Sequence, residues 1–383
     1  MKKVTFLLFI LLFVSVAGCY NGNTPSLSAT EAQPASENTS SEKPSAESSA
    51  ELSTEPFGTQ SSEPYILPFV ILPELTANQI EVFTDALISN GKMETFAPHY
   101  DSRFYISDEY ELIWEDHFDG DLLNYDDWKH EMGYVRGKEL QAYTDNSKNT
   151  IVSNSILTLV AYKEPVTARV TESGHMWHGR GMWFDSNFTS SSIRAREGSN
   201  SIFTIGDTSG ALEMYAKLPS QGMCAFPAFW TFSDELRNGR YMSKWHNSTE
   251  IDILELWGTN FNRYTSGLIW RDGSGYPDSR PNDFYNPRTP YRQDTPIGNE
   301  WHLFGMEWTP ETISFYCDDT IVYSVDISGK DMDNFRTNAN SILLNLALIQ
   351  EGERNGADST PDNEFPIVFQ IDYVRLYQKI RRV

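Results

Sequence analysis

The chain has 383 residues, 22% of them charged and 13% aromatic, with a net charge of −23 at neutral pH. Such an acid excess leaves no basic footprint for a phosphate backbone, which excludes nucleic acid as a partner on electrostatic grounds. Length alone allows two domains, but composition divides the chain into a leader, a polar linker and one large domain.

Lys2 and Lys3 precede an apolar run over residues 4–16, too short to span a bilayer comfortably and patterned as a signal peptide. The run ends Val16-Ala17-Gly18-Cys19, which resembles a bacterial lipobox, so residues 1–18 are expected to be removed and Cys19 lipidated. Residues 19–63 are almost all Ser, Thr, Glu, Pro, Ala and Asn. Such a segment buries too little apolar surface to offset its ordering entropy and reads as disordered. As a flexible coil it reaches about 35–40 Å on average. The expected location is therefore extracytoplasmic, on a tether lipid-anchored to the cell membrane. Residues 64–110 form an extension with one short helix: Thr76 and Gln79 fit a capping box, Ile80, Phe83 and Leu87 share a face, and Gly91 is a stop. That helix is expected on the outside of the domain that follows.

From residue 111 onward short alternating runs dominate, among them 156–161 (ILTLVA), 211–218 (ALEMYAKL), 312–317 (TISFYC), 341–348 (SILLNLAL) and 369–377 (FQIDYVRLY). Turn-rich pieces separate them and no long helical period appears, which predicts an all-β sandwich. Residues 164–190, with His175, Trp177, His178 and Trp183, and residues 270–300, with Tyr276, Phe284, Tyr285 and Tyr291, read as two long loops. Their aromatics either line a binding rim or cap the loops' own small cores. Cys224 and Cys317 form no metal-ligand pattern, and whether they pair stays open.

Residues 249–257 (TEIDILELW) set Glu250, Asp252 and Glu255 into an otherwise apolar, strand-like run. Alternate strand residues face opposite sides, so Glu250 and Asp252 share a face while Ile251 and Ile253 point to a core. Glu255 stands at an odd offset and would be buried, where an unpaired carboxylate is costly. One extra residue at Ile253 and Leu254, a β-bulge, turns it back beside the other two. A solvated acidic edge strand is the plain alternative, and the flanking Ile251, Ile253, Leu254, Leu256 and Trp257 argue against it. Crowded carboxylates are what glycoside hydrolysis uses: one ionised nucleophile and one protonated acid.

EIDILE resembles the E-x-D-x-x-E signature of glycoside hydrolase family 16, in the bulged form typical of laminarinase-like members. Further blocks follow in the family's order: 112–120 (LIWEDHFDG), 139–144 (ELQAYT), 227–230 (PAFW), 301–310 (WHLFGMEWTP), 344–347 (LNLA) and 371–377 (IDYVRLY). The resemblance spans residues 111–379, the expected catalytic domain. It implies a β-jelly-roll sandwich of two curved antiparallel sheets with an open cleft, the acidic strand crossing the concave one.

By the same resemblance the chain is a retaining endo-β-glycanase cutting internal β-1,3-glucosidic bonds of laminarin-type polysaccharide, and a monomer. Glu250 is then the nucleophile, Glu255 the acid/base and Asp252 the assisting group between them. Trp245, Trp230, Phe226, Trp257 and Glu139 are the expected substrate contacts. No cofactor is required, beyond a structural Ca²⁺ that family members often bind and for which Asp372 is the expected ligand. His117 takes the place of a usual Glu there, and imidazole suits Ca²⁺ poorly. Lys138, Ala211, Phe226 and Ile269 depart from the family pattern at positions that tend to line the donor side of the cleft. These departures keep galactose-containing glycans open as substrates. A wall-remodelling transglycosylase would use the same trio with a sugar acceptor. A non-catalytic glycan-binding lectin would share the fold but need not keep three mutually repelling acids.

Overall fold

The alternating runs pair into two stacked sheets. The computed structural model describes residues 70–136, 139–170, 181–233, 249–270, 288–292, 297–349 and 360–381. Cys19 and the linker, Lys138, Trp245, and His175, Trp177, His178, Tyr276, Phe284 and Tyr285 of the expected loops lie outside them. The described residues belong to one unit, Tyr65–Val383.

In chain order, β1 (Val70–Ile71) and α1 (Ala77–Ser89) lead to β2 (Tyr110–Asp116), β3 (Trp128–His130), β4 (Ala142–Tyr143) and β5 (Thr150–Ser153). Next come β6 (Ile156–Arg169), β7 (Trp183–Ser190), β8 (Ser192–Ala195), β9 (Gly210–Lys217), β10 (Ala225–Ser233) and β11 (Thr249–Leu256). The chain closes with β12 (Arg263–Trp270), β13 (Arg288–Arg292), β14 (His302–Trp308), β15 (Thr312–Cys317), β16 (Thr320–Asp326), α2 (Asp333–Thr337), β17 (Asn340–Leu348) and β18 (Ile367–Lys379). An 11-stranded sheet runs β16-β15-β14-β9-β18-β6-β7-β4, with β1 and β5 joined to β6 and β2 to β18. A 7-stranded sheet runs β13-β12-β11-β10-β17-β8-β3. Among the described strand pairs only β4 with β7 is parallel, and one isolated bridge, Tyr134 with Val170, is parallel as well. This is the expected jelly roll.

The core lies between the sheets. Ile251, Ile253, Leu254 and Leu256 of β11 and Ile342, Leu344, Leu346 and Leu348 of β17 meet Leu212 and Met214 of β9, Phe304 and Met306 of β14 and Ile371 and Leu376 of β18. Each such side chain contributes roughly 1.5–3 kcal/mol on burial. Cys224 and Cys317 are both free thiols, buried in this core.

The outer face of the 11-stranded sheet is covered by the extension. Helix α1 starts at the capping box, with Gln79 N–H donating to Thr76 Oγ1 at 3.4 Å and Thr76 N–H to Gln79 Oε1 at 2.9 Å. It ends where Gly91 takes φ +68°, a left-handed turn that glycine adopts at little cost. Leu87 anchors it against Met93, Ile151 and Val160. Further along, Phe104 joins Ala211, Tyr215, Leu303, Tyr316, Tyr373 and Tyr377 in a second cluster outside the sandwich.

Two expected loops contain strands. Residues 164–169 and 183–190 are arms of the β6–β7 hairpin, with Arg169 opposite Trp183. The register shifts between Lys163 and Val166, so Pro165 sits in a bulge where its missing N–H breaks no ladder bond. That interruption hid the alternation of Val166, Ala168 and Val170, which pack on Tyr134 and Ala142. In the second loop, β13 adds an edge strand beside β12.

Candidate active site

Strand β11 carries the acids, and its register explains how they meet. Against β10, Phe232 faces Glu250, Trp230 faces Asp252 and Ala228 faces Glu255. Against β12, Ile269 faces Glu250, Gly267 faces Asp252 and Thr265 faces Glu255, with the register shifting between Asp252 and Glu255. The bulge therefore falls at Ile253 and Leu254. Both are buried in the core cluster, so all three acids turn to the outer face of the 7-stranded sheet.

The bulge leaves backbone groups off the ladder, and Ser266 takes up one of them. Its hydroxyl donates to the Ile253 carbonyl at 2.7 Å, inside a buried environment. Ser266→Ala should leave that carbonyl without its partner and cost about 1–3 kcal/mol. Chemical denaturation measures it, and an unchanged stability would show that the hydroxyl does not hold the bulge.

Asp252 is 1% exposed and Glu255 8%, while Glu250 is half-buried. Thr265 Oγ1 stands 3.5 Å from Glu255 Oε2. Phe226 and Trp257 are half-buried and pack against each other with ring centroids 4.5 Å apart, beside the Glu255 end of the row. Ile269 puts an apolar side chain next to Glu250.

Trp230 is less open than a sugar platform would be. It is 9% exposed, its indole N–H donates to Asn345 Oδ1 at 2.7 Å, and the Arg136 guanidinium carbon lies 4.9 Å over its ring. Asn345 Nδ2 in turn donates to the Tyr143 hydroxyl at 3.2 Å. Arg136 pairs with Glu131, and with Glu139 at 3.5 Å. Burial pushes the Glu139 carboxyl up to about 7; Arg136 opposes the rise and Glu131 adds to it. Burial also works on Glu131, but Arg136, Arg194 and the Ser192 hydroxyl outweigh it and hold that acid below the usual carboxylate range. Glu139 is thus linked to Trp230 through Arg136, which pairs with the acid and lies over the indole ring. Arg136, Glu131 and Asn345 were not singled out from the sequence. The one signal for Asn345 is a polar residue inside the apolar run of β17, and for Arg136 its place three residues before Glu139.

Two expectations need correction. Ala211 does not line this face: it sits on β9 in the other sheet and packs outside the sandwich with Phe104 and Tyr215. Strand parity decides it, because Leu212 and Met214 point into the core and the odd positions point out. Nor does the donor set at Asp372 fit a hard divalent cation. The Arg375 guanidinium donates to Glu115 at 3.2 Å and His117 also meets Glu115 at 2.8 Å, while burial raises the Asp372 carboxyl against the opposing pull of its neighbours, His117 and Arg375 among them. Guanidinium and imidazole there oppose Ca²⁺, which wants oxygen ligands.

Comparison with known proteins gives one family. Its sequence profile, glycosyl hydrolases family 16, matches residues 140–373. Glucan endo-1,3-beta-glucosidase A1 of Niallia circulans is 24% identical over 287 residues, 70% of this chain but 38% of that protein's length. The Beta-1,3-glucan-binding protein of Penaeus monodon is 30% identical over 243 residues, 56% of this chain and 63% of its own. Among solved structures, the endo-beta-1,3-glucanase from Pyrococcus furiosus superposes with a TM-score of 0.54 at 26% identity, over 71% of this chain and 96% of that one. With more than half of its residues matched to the profile, the chain belongs to glycosyl hydrolases family 16.

Proposed function

We propose that the protein is a retaining endo-β-1,3-glucanase, with Glu250 as nucleophile, Glu255 as acid/base and Asp252 assisting between them. The observation that carries this reading is the bulge in β11, which places three acids on one outer face above an apolar core. The relatives named as a 1,3-glucosidase and an endo-1,3-glucanase support the substrate class. Since another relative is named as a binder, the trio rather than the family carries the case for catalysis.

In the first step the Glu250 carboxylate attacks the anomeric carbon while Glu255 gives its proton to the departing glycosidic oxygen. The glycosyl–Glu250 ester is then opened by water, whose proton returns to Glu255. Convergence of two carboxylates from one bulged strand suits the short separation of about 5–5.5 Å that retention requires. Glu139, Phe226, Trp257 and Trp230, with Trp245 outside the described residues, are the proposed substrate contacts.

Laminarin should be cut internally, and NMR of the first products should show the β anomer. An initial α product would remove the double displacement. Binding without any cleavage would favour a lectin. Ile269 beside Glu250 and Phe226 beside Trp257 favour a second reading, a galactose-containing polymer, and cleavage confined to agarose, carrageenan or β-galactans would establish it.

The same reading puts the enzyme outside the cell, tethered by lipid on Cys19. Cys19→Ala should abolish lipid labelling and release the protein from the membrane fraction. A wild-type chain without lipid label would end this part of the proposal.

A further inference from the structure

Away from the acidic strand, the open end of the β14–β15 hairpin brings three kinds of ligand atom together. His302 begins β14, Cys317 ends β15 and Asp318 follows it. An imidazole nitrogen, the thiol sulfur and a carboxylate oxygen of these residues all lie within 4.8 Å of one another. The pattern is invisible along the chain, because the length of the hairpin separates His302 from Cys317. The backbone fixes the carboxylate. Asp318 takes φ +51°, its N–H donates to the Leu303 carbonyl at 2.7 Å, and its Oδ1 accepts the Leu303 N–H at 2.9 Å. Oδ2 is thereby turned to His302 Nδ1 at 3.0 Å. Cys317 stands across the ladder from Phe304, a free thiol in the core and 1% exposed. Among the described residues no lysine or arginine pairs with Asp318, whose ion pair is with His302. The surroundings are negative as well: burial first, and nearby acids with it, Asp318 among them, push the Tyr100 and Tyr215 hydroxyls up to about 12.

We propose that His302, Cys317 and Asp318 form a structural site for a divalent transition-metal ion, Zn²⁺ by donor type. A mixed nitrogen, sulfur and oxygen set suits Zn²⁺, whereas Ca²⁺ and Mg²⁺ want oxygen alone. Metal–ligand bonds of about 2.0–2.3 Å put tetrahedral ligands roughly 3.3–3.6 Å apart. The nitrogen–oxygen pair is already near that spacing, and the sulfur closes on it by little more than about 1 Å. Water completes the tetrahedron from the Asp318 side, where the side chain is 39% exposed. On binding, Cys317 Sγ gives one proton to solvent. The ion takes the place of the hydrogen between His302 Nδ1 and Asp318 Oδ2, and His302 keeps its proton on Nε2. Thiolate and carboxylate then neutralise the dication, so no net charge is added beside the apolar core. Burial, and after it the Asp318 charge, push the free thiol up, with the Tyr264 hydroxyl opposing them. Coordination overrides the rise, since a thiol bound to such an ion is deprotonated outright. The Tyr264 hydroxyl then supports the bound sulfur as an outer hydrogen-bond partner.

The site is independent of the glucanase reading, and its test needs no substrate. Co²⁺ and Zn²⁺ are titrated into the full-length chain carrying Cys19→Ala, which leaves Cys224 and Cys317 as its thiols. One equivalent of Co²⁺ should bring the charge-transfer absorption of a thiolate–Co²⁺ bond together with the intense visible bands of tetrahedral geometry, and Zn²⁺ should displace it. Free Zn²⁺ at about a hundred-fold excess over its Kd should raise Tm by about 4 °C. The absorption should vanish in Cys317→Ser and persist in Cys224→Ala. His302→Gln and Asp318→Asn should each weaken Zn²⁺ binding by at least about ten-fold, the loss that disturbing even an outer partner of a metal ligand causes. No thiolate absorption in the chain with Cys317 intact, or absorption that survives Cys317→Ser, overturns the proposal. Undiminished Zn²⁺ binding in His302→Gln overturns it too, which keeps the test decisive if Cys317→Ser does not fold.

Discussion

Glu250→Gln and Glu255→Gln should each lower hydrolysis by at least about 10²–10⁴-fold while leaving the fold intact. Glutamine keeps the size and hydrogen-bonding shape of glutamate, and neither side chain carries core packing: the core side of β11 is Ile251, Ile253, Leu254 and Leu256. Thermal melts of both variants should therefore lie close to wild type. Their remaining activities should differ in kind. Without Glu255, a substrate whose leaving group needs no proton, such as an aryl glycoside, should still load the enzyme. Without Glu250, no glycosyl-enzyme should form on any substrate. Asp252→Asn should cost less, because the group is proposed to orient its neighbours rather than to react. Full activity in either glutamine variant would remove the mechanism.

The acids were legible because strand parity is rigid. Glu250 and Asp252 share a face by alternation, Glu255 breaks the count, and an unpaired carboxylate in the core is too costly to leave there. A bulge was the economical resolution, and the register places it at Ile253 and Leu254. Helix α1 was legible for a local reason, its capping box and glycine stop. What sequence could not supply was partnership between distant segments. Arg136 has Glu131 and Glu139 close by in the chain, and it gains its meaning only when Trp230 of β10 is brought beneath its guanidinium. Ala211 was misplaced because a motif position carries no information about which side of a sheet the strand presents. The β6–β7 hairpin was lost at Pro165, where one bulged residue breaks the alternation that defines a strand.

A chain beginning at residue 111 should fail to yield soluble, folded enzyme, although residues 111–379 carry every motif of the catalytic family. The reason lies on the outer face of the 11-stranded sheet, where the extension is part of the packing. Phe104 sets its ring against Tyr110, Tyr316 and Tyr377 at centroid distances of 4.9, 6.0 and 5.9 Å. Tyr100 stacks on Tyr215 at 5.3 Å, and the Tyr373 hydroxyl donates to the Tyr100 carbonyl at 3.0 Å. Beneath them Glu213 is fully buried; burial pushes its carboxyl up, and Ser102 and Tyr316 are among the groups that partly offset this. The Tyr316 hydroxyl donates to it at 2.8 Å, and Gly305 makes room for that ring, since a Cβ there would lie 2.4 Å from Tyr316. Arg103 reaches Glu307 at 2.6 Å and Glu94 joins Lys217 and Trp301, tying the extension to the sheet along its length. Truncation strips this cover at once, exposing a contiguous aromatic face, which promotes association, and removing Ser102 from beside Glu213. Phe104→Ala tests the same point within the whole chain and should cost about 3–5 kcal/mol. Denaturant unfolding measures it, with activity below the transition retained because the trio lies on the other sheet. If the chain starting at 111 is monomeric and as stable as the full-length protein, the extension is a passive appendage and the catalytic domain ends where its motifs do.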